Sequence, residues 1–290
     1  SSYVAMRPVL VTGRFAPSPT GDLHFGSLVS AVGSYLEAKA NGGEWLIRIE
    51  DIDPPREVAG SAKRIIEDLE RMGLVSDRAI LYQSTRHDAY HAAINKLLNA
   101  GLAYPCACSR KDIPASGVYP GTCRDGIKGE KAPRSIRFRA DSVATGFNDR
   151  LQGYVASTTE DFVIKRADGF FAYQLAVVVD DEYQGITQVV RGADLLDSTA
   201  RQIALQKALG YASPDYMHLP VAKSRDGKKL GKRYASDPLQ NQDASSVVAR
   251  ALEFLGHNPP KNLLLPSLWE WATDHWDTRR VPAKQSILTG

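Results

Sequence analysis

The chain has 290 residues, 43% of them hydrophobic and 24% charged, the composition of a globular protein of one large or two moderate domains with room for a real core. Its formal net charge of +3 is too small for composition alone to announce a nucleic-acid binder. No apolar run approaches the ~20 residues that span a bilayer, no signal-peptide pattern is present, and an odd number of cysteines (three) argues against a disulfide framework and for a reducing, cytoplasmic setting.

An apolar run, Val9, Leu10 and Val11, leads into Arg14-Phe15-Ala16-Pro17-Ser18-Pro19-Thr20-Gly21-Asp22-Leu23-His24-Phe25-Gly26-Ser27. This reads as a strand, a turn dense in Pro and Gly, and a helix beginning near Ser27, with backbone N–H groups and the helix N-terminus forming a seat for an anion. It lacks the Gly-Lys-Ser/Thr of a P-loop and the Gly-x-Gly-x-x-Gly of a dinucleotide site. On local grounds His24 is open to a catalytic or a structural reading. Leu28, Val32, Tyr35 and Leu36 then fall at helical spacing, and Asn41-Gly42-Gly43 ends the helix. A buried strand is expected over 45–49, with Glu50-Asp51 at its C-terminal edge, where open parallel sheets bind ligands. A second helix carries Ile65, Ile66, Leu69 and Met72, and a third covers 85–100. The alternation predicts an α/β, doubly wound parallel sheet.

From 104 to 166 helical periodicity disappears and Gly and Pro become frequent, with strand-like pieces at 135–138 and 162–165. Parallel-sheet grammar resumes with a helix over 174–179, a strand over 186–190, a helix over 198–209 and a strand over 218–221. Two short helical patterns follow, at 244–255 and 267–274, and then a basic, loose tail. Trp269, Trp271 and Trp276 read as helix packing rather than a stacking platform. The expected organisation is a Rossmann-type catalytic domain in two halves, 7–103 and 167–222. Residues 104–166 are expected to form an inserted zinc-containing α+β subdomain, and 223–290 a lysine loop and a small helical C-terminal region.

Three constellations carry chemistry. Glu50 is either a solvated strand end or a carboxylate for a substrate ammonium group, with Arg14 and Arg191 as candidate partners for carboxylates and Tyr173 as a further handle. A carboxylate with two arginines fits a dicarboxylic amino acid. Cys106-Ala107-Cys108, with Cys123 shortly after, reads as a zinc site lacking one ligand or as reduced structural thiols. The stretch from Lys223 to Arg233 has six cationic residues in eleven, which is a solvated face or a phosphate-tracking loop.

The segment Arg14–Ser27 resembles the nucleotide-binding signature of glutamyl-type class I aminoacyl-tRNA synthetases, with Ser27 where that signature usually ends in His. Arg48-Ile49-Glu50-Asp51 and the block from Val179-Asp180-Asp181 to Asp194-Leu195-Leu196 resemble the same family, and Glu50 stands where the glutaminyl branch has Asp. Lys229-Leu230-Gly231-Lys232-Arg233 resembles the mobile second signature, with Gly231 in place of the usual Ser. The resemblance covers roughly 7–235 and implies ATP binding by Pro17, His24, Gly26, Ser27 and Lys232. It implies glutamate binding by Arg14, Ala16, Ser18, Glu50, Tyr173 and Arg191, with His24, Lys229 and Lys232 catalytic. Lysines on such a loop can follow charge developing on the phosphates during in-line attack.

About sixty residues follow Arg233, and with Tyr119-Pro120-Gly121-Thr122-Cys123 and Arg191-Gly192-Ala193-Asp194 the chain resembles the short glutamyl-queuosine tRNA(Asp) synthetase family. That resemblance implies ATP with Mg²⁺ and L-glutamate as substrates and tRNA(Asp) carrying queuosine as acceptor. It also implies one structural Zn²⁺ on Cys106, Cys108, Cys123 and a Tyr119 oxygen. No membrane association is expected, and the chain is expected to be a monomer. The rival readings are a truncated glutamyl-tRNA synthetase charging a 3′ end, a non-catalytic glutamate-binding paralogue, and another small nucleotidyltransferase.

Overall fold

The computed structural model describes residues 10–224 and 238–289. Val9 falls outside them, and the apolar run continues into strand β1 (Thr12–Phe15), all four residues of which are buried. Helix α1 (Phe25–Lys39) begins two residues before Ser27 because His24 is its N-cap: the His24 ring accepts from the Ser27 N–H at 3.3 Å. Strand β2 (Glu44–Ile49), helix α2 (Ser61–Arg71), the short strand β3 (Leu81–Tyr82) and helix α3 (His87–Asn99) follow. The three strands pair in parallel in the order β1-β2-β3.

The insertion is built of β4 (Ala103–Cys106), β5 (Ser135–Phe138), β6 (Val143–Ala144), β7 (Phe147–Asp149), β8 (Gly153–Val155), β9 (Thr158–Thr159) and β10 (Phe162–Lys165). Strands β10-β5-β4 form an antiparallel sheet, β6 pairs with β9, and β7 with β8 makes a hairpin. Its one helical element is a 3₁₀ turn at Arg110–Asp112, so the expected α+β character is corrected to β-rich. Pro105, Pro114, Pro120 and Pro133 remove backbone donors, and Gly117 and Gly121 adopt left-handed φ of +75° and +78°, which together prevent a continuous helix. The β7–β8 hairpin leans back on the parallel sheet, where Phe147 joins Leu46, Val189 and Tyr216 in one apolar cluster.

The second half contributes α4 (Tyr173–Tyr183), β11 (Gln188–Gly192), α5 (Thr199–Leu209), β12 (Asp215–Leu219) and β13 (Val221–Ser224). Helix α4 runs past 179 because Asp180 and Asp181, polar in sequence, are buried among arginines. Strands β11 and β12 are parallel. Strand β11 lies beside β1, where the Thr187 N–H donates to the Thr12 carbonyl at 2.9 Å. The strands therefore run β3-β2-β1-β11-β12, and the direction of winding reverses between β1 and β11. The C-terminal ends of those two strands, at Arg14 and Arg191, mark the switch point where such sheets bind ligands. A Cβ on Gly33 of α1 would sit 2.5 Å from Leu219 Cδ1, so glycine lets the helix approach β12.

Helices α6 (Ala244–Phe254) and α7 (Leu265–His275) pack Val247, Leu252 and Leu268 into the cluster that holds Leu28, Leu36 and Leu69. The Trp269 indole donates to the Met72 carbonyl at 2.7 Å and the Trp276 indole to Glu37 at 3.0 Å, as packing residues would. The tail expected to be loose instead forms β14 (Ser286–Thr289), paired in parallel with β13. Ile287 and Thr289 are β-branched, which favours the extended ladder. Among the described residues no helix is long and apolar enough to cross a membrane.

Candidate active site

The turn between β1 and α1 is lashed to the end of β2. The Glu50 N–H donates to the Pro17 carbonyl at 2.9 Å, and the Val58 N–H to the Pro19 carbonyl at 3.0 Å. His24 is exposed at the N-terminus of α1, with its Nε2 3.1 Å from the Ser27 hydroxyl. A Cβ on Gly26 would lie 3.3 Å from the His24 ring, tight enough to push the imidazole aside. The structure thus brings His24, Gly26 and Ser27 to one helix N-terminus, whose dipole suits phosphate, while Pro17 lies beside the end of β2. Lys229 and Lys232 lie outside the described residues.

At the sheet's switch point lies a buried ion network. Asp181 on α4 accepts from Arg14 Nε at 3.0 Å, Arg14 Nη2 at 2.9 Å and Arg48 Nη2 at 2.8 Å. Burial alone would raise the Asp181 carboxyl, but the two guanidinium groups hold it down at about 2. Arg48, wholly buried, also reaches Gln184 at 2.7 Å and Glu50 at 3.4 Å. Glu50 accepts from Gln83 at 2.8 Å. Asp180 accepts from Gln83, Arg86 and the Tyr90 hydroxyl. Burial pushes Glu50 up to about 7, although Arg48 and Arg14 pull the other way.

Three of the four arginines in this region meet carboxylates directly, and the fourth does not. Arg14, Arg48 and Arg86 are offset by Glu50, Asp180 and Asp181. Arg191, 4% exposed, meets neutral partners instead: its Nε donates to His218 Nε2 at 3.0 Å and its Nη2 to the Thr199 hydroxyl at 3.0 Å. Its Nη1 is buried with no hydrogen-bond partner among the described residues. A buried cation with an unpaired donor is costly until an anion arrives.

Ala16, Ser18, Glu50 and Tyr173 line a cleft of about 520 Å³ together with Asp53, Arg56 and Arg166, whereas Arg14 and Arg191 are not among its lining residues. Asp53 is held there by Arg166 at 3.1 Å and Arg56 at 3.2 Å. Tyr173 feels the charges of Arg191, Glu50 and Arg14 together, which puts the proposed handles around one phenol. Arg14 is brought to the same region, with two of its nitrogens engaged by Asp181.

The cysteines form a separate cluster. Sγ of Cys106, Cys108 and Cys123 all lie within 4.8 Å of one another, with Cys108 and Cys123 3.7 Å apart and all three thiols free. Tetrahedral Zn–S bonds of ~2.3 Å put sulfurs ~3.8 Å apart, so the donor set fits zinc. The Tyr119 hydroxyl stands 3.3 Å from Cys106 and 3.5 Å from Cys108, on the side where a fourth ligand belongs. Arg137 donates to Cys106 Sγ at 3.3 Å. Burial would raise the Cys106 thiol, but bonds from Tyr119 and Arg137 bring it down to about 7, favouring the thiolate a metal needs.

Several residues of the network escaped sequence reasoning. Asp149, Thr199 and His218 carry no local signal, being contributed by an insertion strand, a helix start and a strand interior. Arg48, Asp180 and Asp181 stood in recognised blocks but had no assigned role. A long charged side chain in an otherwise apolar strand, as at Arg48, was the signal available.

Comparison with known proteins agrees with this geometry. The family model for tRNA synthetases class I (E and Q), catalytic domain, matches residues 10–116 and 122–257. The glutamyl-Q tRNA(Asp) synthetase of Dechloromonas aromatica is 52% identical over 292 residues, covering 95% of this chain and 97% of that protein. That of Pseudomonas aeruginosa is 52% identical over 291 residues, covering 97% and 96%. A crystal structure of the glutamate-tRNA synthetase from Elizabethkingia anophelis superposes with a TM-score of 0.80 at 28% identity, over 96% of this chain and 68% of that one. An E/Q-type signature on a doubly wound sheet, with near full-length identity of this order, settles the family: the chain belongs to the class I tRNA synthetases of the E and Q type, among the glutamyl-Q tRNA(Asp) synthetases.

Proposed function

We propose that this enzyme activates L-glutamate with ATP and transfers the glutamyl group to the queuosine base in the anticodon of tRNA(Asp). The observation that supports the amino-acid choice is a buried Glu50 on the cleft together with a buried Arg191 whose Nη1 has no partner among the described residues, both felt by the cleft residue Tyr173. Glu50 takes the substrate ammonium group, and Arg191 Nη1 takes the side-chain carboxylate, with Tyr173 between them. Arg14, anchored by Asp181, adds positive potential to that end. His24 and the first N–H groups of α1 hold phosphate oxygens of ATP, which enters with Mg²⁺ as substrate. An α-carboxylate oxygen of glutamate attacks the α-phosphorus, pyrophosphate leaves, and Lys229 and Lys232 offset the charge that develops. A hydroxyl of the queuosine cyclopentenediol then attacks the adenylate carbonyl. The ester C–O bond forms and AMP departs. Zinc belongs on Cys106, Cys108, Cys123 and the Tyr119 oxygen, where it ties β4 to the following loop and takes no part in the chemistry.

The activation half is tested by pyrophosphate exchange without tRNA across the amino acids, at pH 6 and pH 8. Glutamate alone should support exchange. Because the Glu50 carboxyl titrates near 7, acidification makes it neutral and weakens its hold on the ammonium group. The KM for glutamate should therefore be roughly tenfold higher at pH 6 than at pH 8, each pH unit below the pKa costing about a factor of ten. A KM flat across that range would remove Glu50 from the ammonium site.

A further inference from the structure

Arg191 does not stand alone on its strand. His218 is its direct neighbour in the β11–β12 register, and the hydrogen bonds around the two fix where each proton sits. A guanidinium has donors and no acceptor, so the 3.0 Å contact from Arg191 Nε calls for a lone pair on His218 Nε2, which also lies 3.2 Å from the Thr199 hydroxyl, a group able to donate to it. The ring proton is then on Nδ1, which points at Asp149 Oδ2, 2.5 Å away. Asp149 is itself fixed, because its Oδ1 accepts from the backbone N–H groups of Leu151, Gln152 and His218 at 3.0, 2.9 and 3.1 Å. The side chains of Asp149 and His218 are wholly buried. Asp149 comes from β7 of the insertion, 69 residues from His218 in sequence.

We propose that Asp149 and His218 are positioning residues for substrate recognition: Asp149 fixes the His218 tautomer, His218 holds Arg191 Nε, and Thr199 holds Nη2, so that Nη1 is the donor left for the substrate carboxylate. The inference rests on the reading of Arg191 as the carboxylate partner. Burial lowers the His218 pKa, and the adjacent guanidinium does so further, against the opposing pull of Asp149, so the ring stays neutral and its acceptor is preserved. The β7–β8 hairpin is thereby part of the amino-acid site, although it belongs to the insertion in sequence. An imidazole turned to the other tautomer would face Arg191 with an N–H, donor against donor, and the guanidinium would rotate away.

The test is Asp149→Asn. The amide oxygen keeps the three backbone donors, but the NH₂ group now meets His218 Nδ1, which must accept, and the proton moves to Nε2. The KM for glutamate should rise roughly tenfold or more, the scale of a buried charged donor losing its acceptor, while the KM for ATP and the kcat at saturating glutamate stay within about twofold. In a His218→Gln background the residue has no tautomer and its amide oxygen can serve Arg191, so Asp149→Asn should add little. A merely structural role for Asp149 would add the same loss in both backgrounds and overturn the proposal. Nitrogen NMR of the wild-type ring should find the proton on Nδ1, and finding it on Nε2 would overturn the proposal even if Asp149→Asn fails to fold. Arg191→Ala separates the two layers. If it raises the KM for glutamate and Asp149→Asn does not, only the positioning role falls. If Arg191→Ala leaves the KM unchanged, the carboxylate reading falls and the positioning role with it.

Discussion

Arg191→Ala is expected to raise the KM for glutamate in pyrophosphate exchange by on the order of a hundredfold or more, with a much smaller change in kcat at saturating glutamate. The size follows from the setting. Truncating one member of a buried, hydrogen-bonded charge pair costs about 2–5 kcal/mol, mostly by leaving the other charge buried and unpaired. Here the stranded charge would be the substrate carboxylate, next to neutral His218 and Thr199. Arg191→Lys should recover only part of the loss, because an ammonium group cannot make the Nε and Nη2 bonds and present a third donor at once. An alanine variant with an unaltered KM would mean that glutamate binds elsewhere.

The second large effect is expected at the metal. Protein purified without chelator should contain about one zinc per chain, since a site of three thiolates binds tightly enough to survive purification. Cys106 is fully buried, so Cys106→Ser cannot be relieved by solvent. It should abolish zinc retention and lower the Tm by about 5 °C or more, as loss of a structural site costs several kcal/mol and each kcal/mol moves a chain of this size by about 2–4 °C. Tyr119→Phe should be milder. Zinc kept after Tyr119→Phe would reassign the fourth position to water, whereas zinc content and Tm both unchanged in Cys106→Ser would show that the cysteines hold no metal.

The legible parts of the fold and site were those written over short distances. The β1–turn–α1 unit, the strand ending at Glu50 and the Cys106–Cys123 cluster each sit within about thirty residues, where periodicity, Pro and Gly chemistry and spacing operate. The partners of those residues were not legible. Arg14 meets Asp181 across 167 positions and Arg48 meets Gln184 across 136, and only the sheet order brings them together. The same holds for His218, which reads as one histidine in an apolar strand. Two local expectations failed for opposite reasons. Helix α4 looked shorter than it is because buried aspartates resemble a polar stop. The tail looked loose because a two-stranded pairing with β13 depends on residues more than sixty positions away.

Arg48 stands in a recognisable motif, and its contacts give the motif a physical reason. The motif singles out the segment, but what an arginine does there is join Asp181, Gln184 and Glu50, three buried acceptors, through one guanidinium.

The proposed acceptor of the glutamyl group is the queuosine base. The most direct measurement uses labelled glutamate with tRNA(Asp) from cells with and without queuosine, each intact or trimmed of its 3′-terminal adenosine. Label should appear only on queuosine-containing tRNA and should be indifferent to trimming, because the cyclopentenediol supplies the attacking hydroxyl. Label that is lost on trimming yet retained without queuosine would contradict the account and make this a 3′-end synthetase.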